Sequence, residues 1–241
     1  MEVLRGRDLG VGVSIGCGEG SKEMALLAVG AVRHFHLFEI AEARVARGRK
    51  RARNLGLSGR ISWHLESPDF ASPMPVDLVY WNNALHHMLD TRVAVTWSRE
   101  SLRPGGTFYM NDFVGPDRMQ WPDEMLEAAS AIREQLPERL IGSASRKVVR
   151  PRETRWPRSR WRRHVSLADP TECADSAAIL PAIREHFPSA SVKPTGGVVY
   201  HLALHGLLDR FTDDEELWPW LLEADRLYAE RGLTHYAVAV A

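Results

Sequence analysis

A glycine-rich stretch near the N-terminus constrains the fold of this chain more than any other feature. An apolar run at residues 11–15 leads into it, and a stretch of helix-forming residues at 21–32 follows. The glycines of the turn stand at alternate positions: Gly16, Gly18 and Gly20. A second apolar run at residues 34–38 ends in Glu39. Because glycines let the backbone turn tightly and approach a ligand, and short apolar runs are typical of buried strands, these residues predict a ligand-binding strand–turn–helix–strand unit.

The carboxylate of Glu39 indicates what kind of ligand this unit binds. An acidic residue at the end of the second strand can accept hydrogen bonds from both hydroxyls of a ribose. A dinucleotide needs the spacing G-x-G-x-x-G, so that its pyrophosphate can lie on the helix N-terminus. Here the spacing is G-x-G-x-G, Ser21 stands in place of the last glycine, and Glu19 adds a negative charge. A nucleoside cofactor without phosphates, S-adenosylmethionine (SAM), therefore fits better than NAD.

Composition limits the class of protein. The chain has 241 residues, 44% of them hydrophobic and 26% charged, with a formal net charge of +0. These values favour one α/β domain with a sizeable core and argue against a general nucleic-acid or membrane binder. Of the two cysteines, Cys17 and Cys173, the first lies within the glycine loop, which favours a reducing, cytoplasmic setting without a disulfide. The sequence predicts no metal site, because the pair His201 and His205 lacks a third ligand.

Strands and helices alternate along residues 11–116. Further strands are predicted at residues 61–65, 76–81 and 107–110, and a turn at 103–106 precedes the last of them. Such alternation predicts parallel β-α-β units, whose ligands lie at the carboxyl ends of the strands. Segments that are distant in the chain are then expected along one edge of the sheet: 16–20, Glu39, 67–69, 82–87 and 111–112.

Several of these segments resemble the class I SAM-dependent methyltransferases of bacterial secondary metabolism. The similar segments are residues 14–20, Glu39, residues 77–87 and residues 102–106. The resemblance implies an α/β, Rossmann-like fold, with a seven-stranded, mostly parallel sheet and helices on both of its faces. It also implies that residues 233–240 form the reversed last strand of that sheet.

The resemblance further implies which residues bind SAM. The glycine loop lies under the methionine part, Glu39 holds the ribose, Ile40 packs on the adenine, and Asn82 lies near the methionine end. The cofactor-binding residues implied in this way are Gly16, Cys17, Gly18, Glu39, Ile40, Ser67, Pro68, Asn82 and Asn83.

The chain departs from the family at its start and in its middle. Residues 1–10 leave almost no room for the N-terminal helices that roof the cofactor in family members. We expect a helical insertion after the fifth strand to act as the substrate lid instead. The predicted division is a SAM-binding half at 1–116, a helical, Arg-rich insertion at 117–188, and the C-terminal part of the same domain at 189–241.

The insertion contains an Arg-rich stretch at residues 146–163, in which Trp156 and Trp161 are interleaved. One interpretation is a solvated loop; the others are a clamp on an anionic substrate and a docking site for an acidic carrier protein. A homodimer in which the partner supplies a lid is a further hypothesis. Helices are predicted at residues 123–140, 176–187, 198–211 and 213–231, and a sixth strand at 190–193.

Catalysis by such a site depends mainly on positioning, because methyl transfer from a sulfonium is an in-line displacement. Holding two reactants in line contributes roughly 7–11 kcal/mol. A base is needed only for an acceptor that is protonated at working pH, and the candidates are His87, Asp112 and His201. Aromatic faces can attract the sulfonium, and the candidate substrate-binding residues are Trp81, Tyr109 and Tyr200.

The expected function is SAM-dependent methyl transfer to a small-molecule acceptor, anionic or carrier-bound, in secondary metabolism. One alternative is a SAM cyclase, in which the α-amine of SAM attacks its own γ-carbon to form azetidine-2-carboxylate and release methylthioadenosine. Another alternative is a partner subunit that binds SAM without turnover. An NAD-dependent oxidoreductase is disfavoured by the glycine spacing.

Overall fold

The computed structural model describes residue 4 and residues 6–148, 169–212 and 216–241. Its seven strands are β1 (Leu9–Ile15), β2 (Val32–Phe38), β3 (Ile61–His64), β4 (Val76–Asn82), β5 (Leu102–Phe113), β6 (Ser191–Gly196) and β7 (Tyr236–Val240). They form one sheet in the order β3-β2-β1-β4-β5-β7-β6. The first five strands pair in parallel, and β7 is antiparallel to both of its neighbours. The predicted Rossmann-like sheet with a reversed last strand is confirmed.

Helices cover both faces of this sheet. They are α1 (Ser21–Ala28), α2 (Glu42–Asn54), α3 (Thr91–Ser101), α4 (Asp123–Gln135), α5 (Glu138–Ile141), α6 (Ile179–His186) and α7 (Trp218–Glu230). In the part of the chain that the structure describes, none of the helices combines the length and the apolar character needed to cross a membrane.

Strand β4 shows how the core is divided between the two faces. Successive side chains of a strand point to opposite faces, so Leu78 and Tyr80 pack in the apolar cluster that contains α1 and α2. Val79 and Trp81 pack in the other cluster, with α3 and α6. Because both faces are covered, the strand is a continuous apolar run rather than an alternating one.

A third apolar cluster lies beyond the carboxyl end of β5. It joins α4 and α7 to a π-helix at Val198–Ala203. Phe113, the last residue of β5, belongs to this cluster. The helices that follow β5 are therefore packed beside the sheet edge where ligands of such folds bind.

Two predicted segments between residues 100 and 140 differ from the structure. The helix predicted at 123–140 ends at Gln135, and α5 begins only after Pro137, since proline has no N–H to continue a helix. The turn predicted at 103–106 is part of β5, which pairs with β4 from Leu102 onwards across a register irregularity. Gly105 accommodates this irregularity with a positive φ of 78°.

The segments predicted in the C-terminal part of the chain also differ from the structure in their boundaries. The helix predicted at 198–211 is a π-helix over Val198–Ala203, followed by a separate 3₁₀ turn at Leu208–Arg210. The Asp225 carboxylate of α7 accepts the N–H groups of Gly197 and Val199, which fixes how this helix starts. Strand β6 continues to Gly196 through Pro194, which is tolerated because β6 is an edge strand.

The remaining predicted helices agree more closely. A 3₁₀ turn at Ser176–Ala178 leads into α6, close to the helix predicted at 176–187. Beyond Val148, the Arg-rich stretch at 146–163, with Trp156 and Trp161, lies outside the described residues.

Candidate functional site

The carboxyl ends of β1 and β4 meet at the glycine loop. Gly16 and Gly18 have positive φ values of 62° and 59°, which side-chain-bearing residues rarely adopt. A Cβ added to Gly16 would lie 2.8 Å from the Cβ of Ala84, so the loop touches the turn that follows β4. A Cβ on Gly18 would meet nothing within 4 Å. The loop is therefore open on the Gly18 side and closed against β4 on the Gly16 side.

Glu39 is buried at the end of β2, facing this loop. Its Oε2 accepts the Gly18 N–H at 2.8 Å and its Oε1 accepts the Ala41 N–H at 2.8 Å. Arg44 lies 3.9 Å from Oε2. A carboxylate has about four lone-pair directions, so each oxygen can accept one further hydrogen bond. Glu39 is thus held in place and can still receive two hydroxyls.

Cys17 lies in the loop but is not a nucleophile. Burial, followed by the charges of Glu23 and Glu39, raises the pKa of its thiol far above the ordinary value, so the thiol stays protonated. Glu23 on α1 is itself buried and accepts the Ser14 hydroxyl at 2.7 Å. Burial is the largest influence on Glu23 and raises the pKa of its carboxyl.

The residues predicted to surround an adenine follow the ends of two neighbouring strands, Ile40 after β2 and Ser67 and Pro68 after β3. Ile40 is 74% exposed, which leaves its side chain free to cover a ring. Ser67 is exposed and Pro68 is buried. Asp69 is turned inward on its own loop, because its two oxygens accept the Ala71 N–H and the Ser72 hydroxyl. Glu66, Ser67 and Asp69 of this segment are exposed, whereas Pro68 is buried.

At the end of β4, Asn82 receives a cation that the sequence analysis missed. The Lys22 ammonium of α1 donates to Asn82 Oδ1 at 3.1 Å, and the amide of Asn111 lies 3.5 Å from the same oxygen. Asn83 is exposed, has a positive φ of 52°, and donates its N–H to Asn111 O. These polar groups lie together at the end of β4 and β5 that is nearest the glycine loop.

Two of the predicted substrate-binding residues lie in the core instead. Trp81 has no exposed surface and donates its indole N–H to Ser98 Oγ at 2.9 Å. Tyr109 is 2% exposed and stacks on Tyr80, with ring centroids 4.9 Å apart. Both residues lie within strands that are covered on both faces, so their π-faces pack against the protein and not against a ligand.

Asp112 also has a different position from the one expected of a base. It has no exposed surface. Its Oδ2 accepts the N–H groups of Ala84 and Leu85 at 2.9 and 2.8 Å, and its Oδ1 accepts the Phe113 N–H at 2.8 Å and lies 2.5 Å from His86 Nδ1. With four donors around it, the carboxylate orients the turn after β4 instead of meeting a substrate.

His86 and His87 occupy the 3₁₀ turn Leu85–His87 at the end of β4, which we call the histidine turn. Burial lowers the pKa of His86, but the hydrogen bond and the charge of Asp112 outweigh it and raise the pKa above its ordinary value. For His87, burial and then the charge on His86 lower the pKa. The pKa values of the two imidazoles are thus shifted in opposite directions. His87 is half-buried and open to the sheet edge.

A turn at residues 169–173, which the sequence analysis did not single out, covers these histidines. Thr171 Oγ lies 3.0 Å from His87 Nδ1, and Glu172 lies 3.8 Å from both His86 Nε2 and His87 Nε2. Arg118 holds the turn by donating to Pro170 O and Glu172 O at 2.8 and 3.0 Å. The Asp-Pro pair at its start signals only a turn, so no local pattern indicates this contact.

His201 lies next to this turn, in a group of rings that we call the aromatic cluster. Its members are Phe113, Trp121, His201, His235 and Tyr236, with ring centroids such as Trp121–His235 only 4.5 Å apart. Burial is the main cause that lowers the pKa of His201. Tyr200 points away and is 59% exposed. Of these two predicted site residues, His201 is beside the histidine turn and Tyr200 is at the surface.

Comparison with known proteins finds sequence similarity in the first part of the chain. A family model described as a methyltransferase domain matches residues 13–108. A methyltransferase from Claviceps purpurea (strain 20.1) is 36% identical over 101 residues, which are 41% of this chain and 30% of the relative. The chain thus matches under a third of the length of that relative.

Solved structures share the fold over nearly the whole chain. Geranyl diphosphate C-methyltransferase from Streptomyces coelicolor A3(2), in complex with Mg²⁺, geranyl diphosphate and S-adenosyl-L-homocysteine, is 12% identical with a TM-score of 0.57, covering 100% of this chain and 76% of that chain. Phosphoethanolamine N-methyltransferase 2 from Haemonchus contortus, in complex with SAM, is 12% identical with a TM-score of 0.58, covering 98% of this chain and 49% of that chain. The glycine loop, Glu39 and the histidine turn all lie inside residues 13–108, the part of the chain that matches the methyltransferase domain.

Proposed function

We propose that the protein transfers the methyl group of SAM to a small anionic molecule of secondary metabolism, free or attached to a carrier protein. The cofactor lies on the glycine loop, with its ribose on Glu39. The acceptor lies at the carboxyl ends of β4 and β5. The proposed cofactor contacts are Gly16, Cys17, Gly18, Glu39, Ile40, Ser67, Pro68, Asn82 and Asn83.

The observation that carries this proposal is the contact between the glycine loop and the turn after β4. A Cβ on Gly16 would lie 2.8 Å from Ala84, and His87 is only one turn further along the chain. A sulfonium held above the loop is therefore close to the half-buried His87. The reacting groups are brought into line by two turns that are packed against each other.

Such packing is the main requirement of the chemistry. The acceptor attacks the methyl carbon, the carbon–sulfur bond breaks, and its electron pair returns to sulfur, which leaves S-adenosylhomocysteine. No covalent enzyme intermediate is needed, and positioning contributes roughly 7–11 kcal/mol. His87 and His201 border the place where the acceptor would stand, whereas Asp112 acts through His86.

The anionic character of the acceptor rests on two further observations. The stretch at 146–163 is rich in arginine by sequence, and guanidinium groups bind carboxylates and phosphates in a bidentate way. The Streptomyces coelicolor enzyme with the same fold binds geranyl diphosphate, which is an anionic small molecule.

The experiment is to incubate the full chain with SAM alone and then with a panel of phosphate- and carboxylate-bearing acceptors. Mass spectrometry of the nucleoside products separates the alternatives. We expect S-adenosylhomocysteine to form only when an acceptor is present. Calorimetry with SAM in the same samples establishes that the cofactor is bound.

Three outcomes would contradict the proposal. Methylthioadenosine and azetidine-2-carboxylate from SAM alone would identify a SAM cyclase. This is the less favoured reading, because Trp81, the bulky side chain that could fill the acceptor site, lies in the core. SAM binding without turnover of any acceptor would identify a non-catalytic subunit. Absence of SAM binding would show that SAM is not the cofactor of this protein.

A further inference from the structure

His86, His87 and Glu172 bring three ligand atoms together at the acceptor end of the sheet. His86 Nε2 lies 3.8 Å from Glu172 Oε1, and His87 Nε2 lies 3.8 Å from Glu172 Oε2. One ligand atom from each residue lies within 4.8 Å of the others. These separations are too long for hydrogen bonds, so the three ligand atoms face one another without a direct hydrogen bond.

The hydrogen bonds of the two imidazoles determine what their Nε2 atoms offer. His86 Nδ1 lies 2.5 Å from Asp112 Oδ1. Because an ionised carboxylate only accepts, Nδ1 carries the proton and donates it. In the neutral imidazole Nε2 then has a free lone pair, which points at Glu172.

The same reasoning applies to His87 through a hydroxyl. Thr171 Oγ donates to Asp169 Oδ1 at 2.6 Å, so its proton is already used. The same oxygen lies 3.0 Å from His87 Nδ1 and therefore accepts from it. His87 Nε2 is again left with its lone pair towards Glu172.

With both imidazoles neutral, two lone pairs and a carboxylate thus face one point. Metal-bound histidines have this arrangement, since the ring nitrogen away from the ion donates to a carboxylate or another oxygen. An ion about 2.0–2.2 Å from each ligand atom holds tetrahedral ligands roughly 3.3–3.6 Å apart, so its binding draws these three side chains slightly closer together. We propose that His86, His87 and Glu172 bind one divalent transition-metal ion.

The ligand set favours a particular class of ion. Two imidazoles and a carboxylate suit zinc and its first-row neighbours, whereas magnesium and calcium prefer oxygen ligands only. Three protein ligands leave a position open, and the half-buried His87 shows that the site can be reached from the sheet edge. If the proposed methyl transfer is correct, this open position binds an oxygen of the anionic acceptor.

This site could not be predicted from the sequence, because its ligands are far apart along the chain. His86 and His87 are adjacent, which is not a ligand spacing typical of metal sites, and the turn that carries Glu172 contacts them across 84 positions of the chain. The carboxylate that orients His86 comes from a third segment, β5. No local motif unites these residues.

Calorimetric titration of Zn²⁺ into the chelator-stripped full chain tests the proposal, and Co²⁺ in its place gives a visible spectrum that reports nitrogen ligands. We expect one tightly bound ion per chain. Glu172→Gln removes a charged ligand and is expected to weaken binding at least tenfold. Thr171→Val leaves the three ligand side chains in place but removes the hydroxyl that accepts from His87 Nδ1 and donates to Asp169 Oδ1, and is expected to weaken binding about 10–100-fold.

His36→Ala is the matched control. His36 and His64 form another histidine pair, on β2 and β3, with Nδ1 and Nε2 3.0 Å apart. Its loss should leave the affinity for Zn²⁺ unchanged. The assignment would be overturned if the wild-type chain did not bind Zn²⁺, or if Glu172→Gln and Thr171→Val bound Zn²⁺ as tightly as the wild type. Loss of Zn²⁺ binding in His36→Ala would overturn it as well.

Calorimetry with SAM on the same proteins separates this proposal from the proposed function. A variant that binds SAM as tightly as the wild type is folded, so a loss of Zn²⁺ affinity in it is a loss of the site. A chain that binds Zn²⁺ through Glu172 but never binds SAM would retain the metal site and lose the methyltransferase proposal. If the chain formed S-adenosylhomocysteine but Glu172→Gln left its affinity for Zn²⁺ unchanged, the methyltransferase proposal would stand and the metal site would be overturned.

Discussion

The cofactor edge, formed by the glycine loop and Glu39, and the acceptor end, formed by the histidine turn, Asp112 and residues 169–173, lie side by side on one sheet. In the cofactor edge, a single hydrogen bond of 2.8 Å joins Gly18 to Glu39 across 21 positions of the chain. In the acceptor end, His87 meets Thr171 across 84 positions, and Asp112 reaches Ala84 from the neighbouring strand. One region is local, and the other is assembled from three distant segments.

This difference has a consequence for how each region responds to change. The cofactor edge is one strand–turn–helix–strand unit, so a substitution there is expected to alter ligand affinity while the rest of the sheet remains paired. The acceptor end depends on a buried carboxylate that accepts four hydrogen bonds. A substitution there is expected to lower the free energy of unfolding, and to reduce activity as a consequence of the lost stability.

The largest effect is expected from Asp112→Ala. The change leaves three buried N–H groups and His86 without their acceptor, and removing one side of such a buried network costs about 3–5 kcal/mol. Urea denaturation measures the free energy of unfolding. Asp8→Ala is the control, because Asp8 forms an exposed pair with Arg33, and such pairs contribute about 0–1 kcal/mol. A loss below 1 kcal/mol for Asp112→Ala would show that the acceptor end does not depend on this carboxylate.

The next effect concerns acid stability at the border of the acceptor end. His235, in the aromatic cluster, is buried, and this burial together with the charge on His201 lowers its pKa to about 3. Between that value and the ordinary pKa of about 6.5, the unfolded chain binds a proton that the native chain does not. Stability supplied by the neutral ring is therefore complete at pH 7 and is lost as the pH falls.

His235→Phe is expected to remove this pH dependence while keeping a ring in the cluster. The free energy of unfolding at pH 7 minus that at pH 4 should shrink by roughly 3 kcal/mol relative to the wild type. Denaturation at the two pH values measures it, and the exposed His205→Phe is the control. An unchanged difference would mean that His235 titrates normally in the folded chain.

The local region is also the one that could be predicted from the sequence. The alternate glycines and the spaced Glu39 indicate one β-α-β unit. Its strands and carboxylate lie where they were predicted, although the helix predicted at 21–32 ends at Ala28. Trp81 and Tyr109 were misplaced because a continuous apolar strand does not reveal that both of its faces are covered. The π-helix at Val198–Ala203 has apolar residues that fit an α-helix equally well, and Asp225 on a distant helix decides its start.

The acceptor end could be predicted only in part, for a physical reason. Alternating strands and helices bring His87 and Asp112 to one edge, but hydrogen-bond saturation of Asp112 depends on the backbone of the turn after β4. Glu172 reaches the site because Arg118 binds the carbonyls of its turn. Such contacts have no sequence period and become visible only with the folded chain.

The comparison is sharpened by Glu39→Gln. We expect it to weaken SAM binding, because a neutral amide replaces the carboxylate that would accept two charge-assisted hydrogen bonds from the ribose. Some loss of stability is expected as well, because the amide NH₂ cannot accept the N–H of Gly18 or of Ala41, each of which now bonds to one carboxylate oxygen. A loss of about 1.5–3 kcal/mol in SAM binding, or roughly 10–150-fold in Kd, follows. Calorimetry measures it, with the exposed Glu42→Gln on α2 as the matched control. Equal SAM affinity in both variants would remove Glu39 from the cofactor site.

The smallest effect is expected where the two regions meet. Lys22 belongs to the helix after the glycine loop, and its ammonium donates to Asn82 at the end of β4, at 3.1 Å. The contact is exposed, and exposed charges contribute about 0.2–1 kcal/mol, which salt screens. Lys22→Met should therefore weaken SAM binding about two- to fivefold in low salt and less in high salt, with the exposed Lys50→Met as control. Because the carboxylate of SAM would lie near this cation, a loss tenfold or larger that persists in high salt would mean that the two regions share a buried ionic contact with the cofactor, and that they are energetically one site.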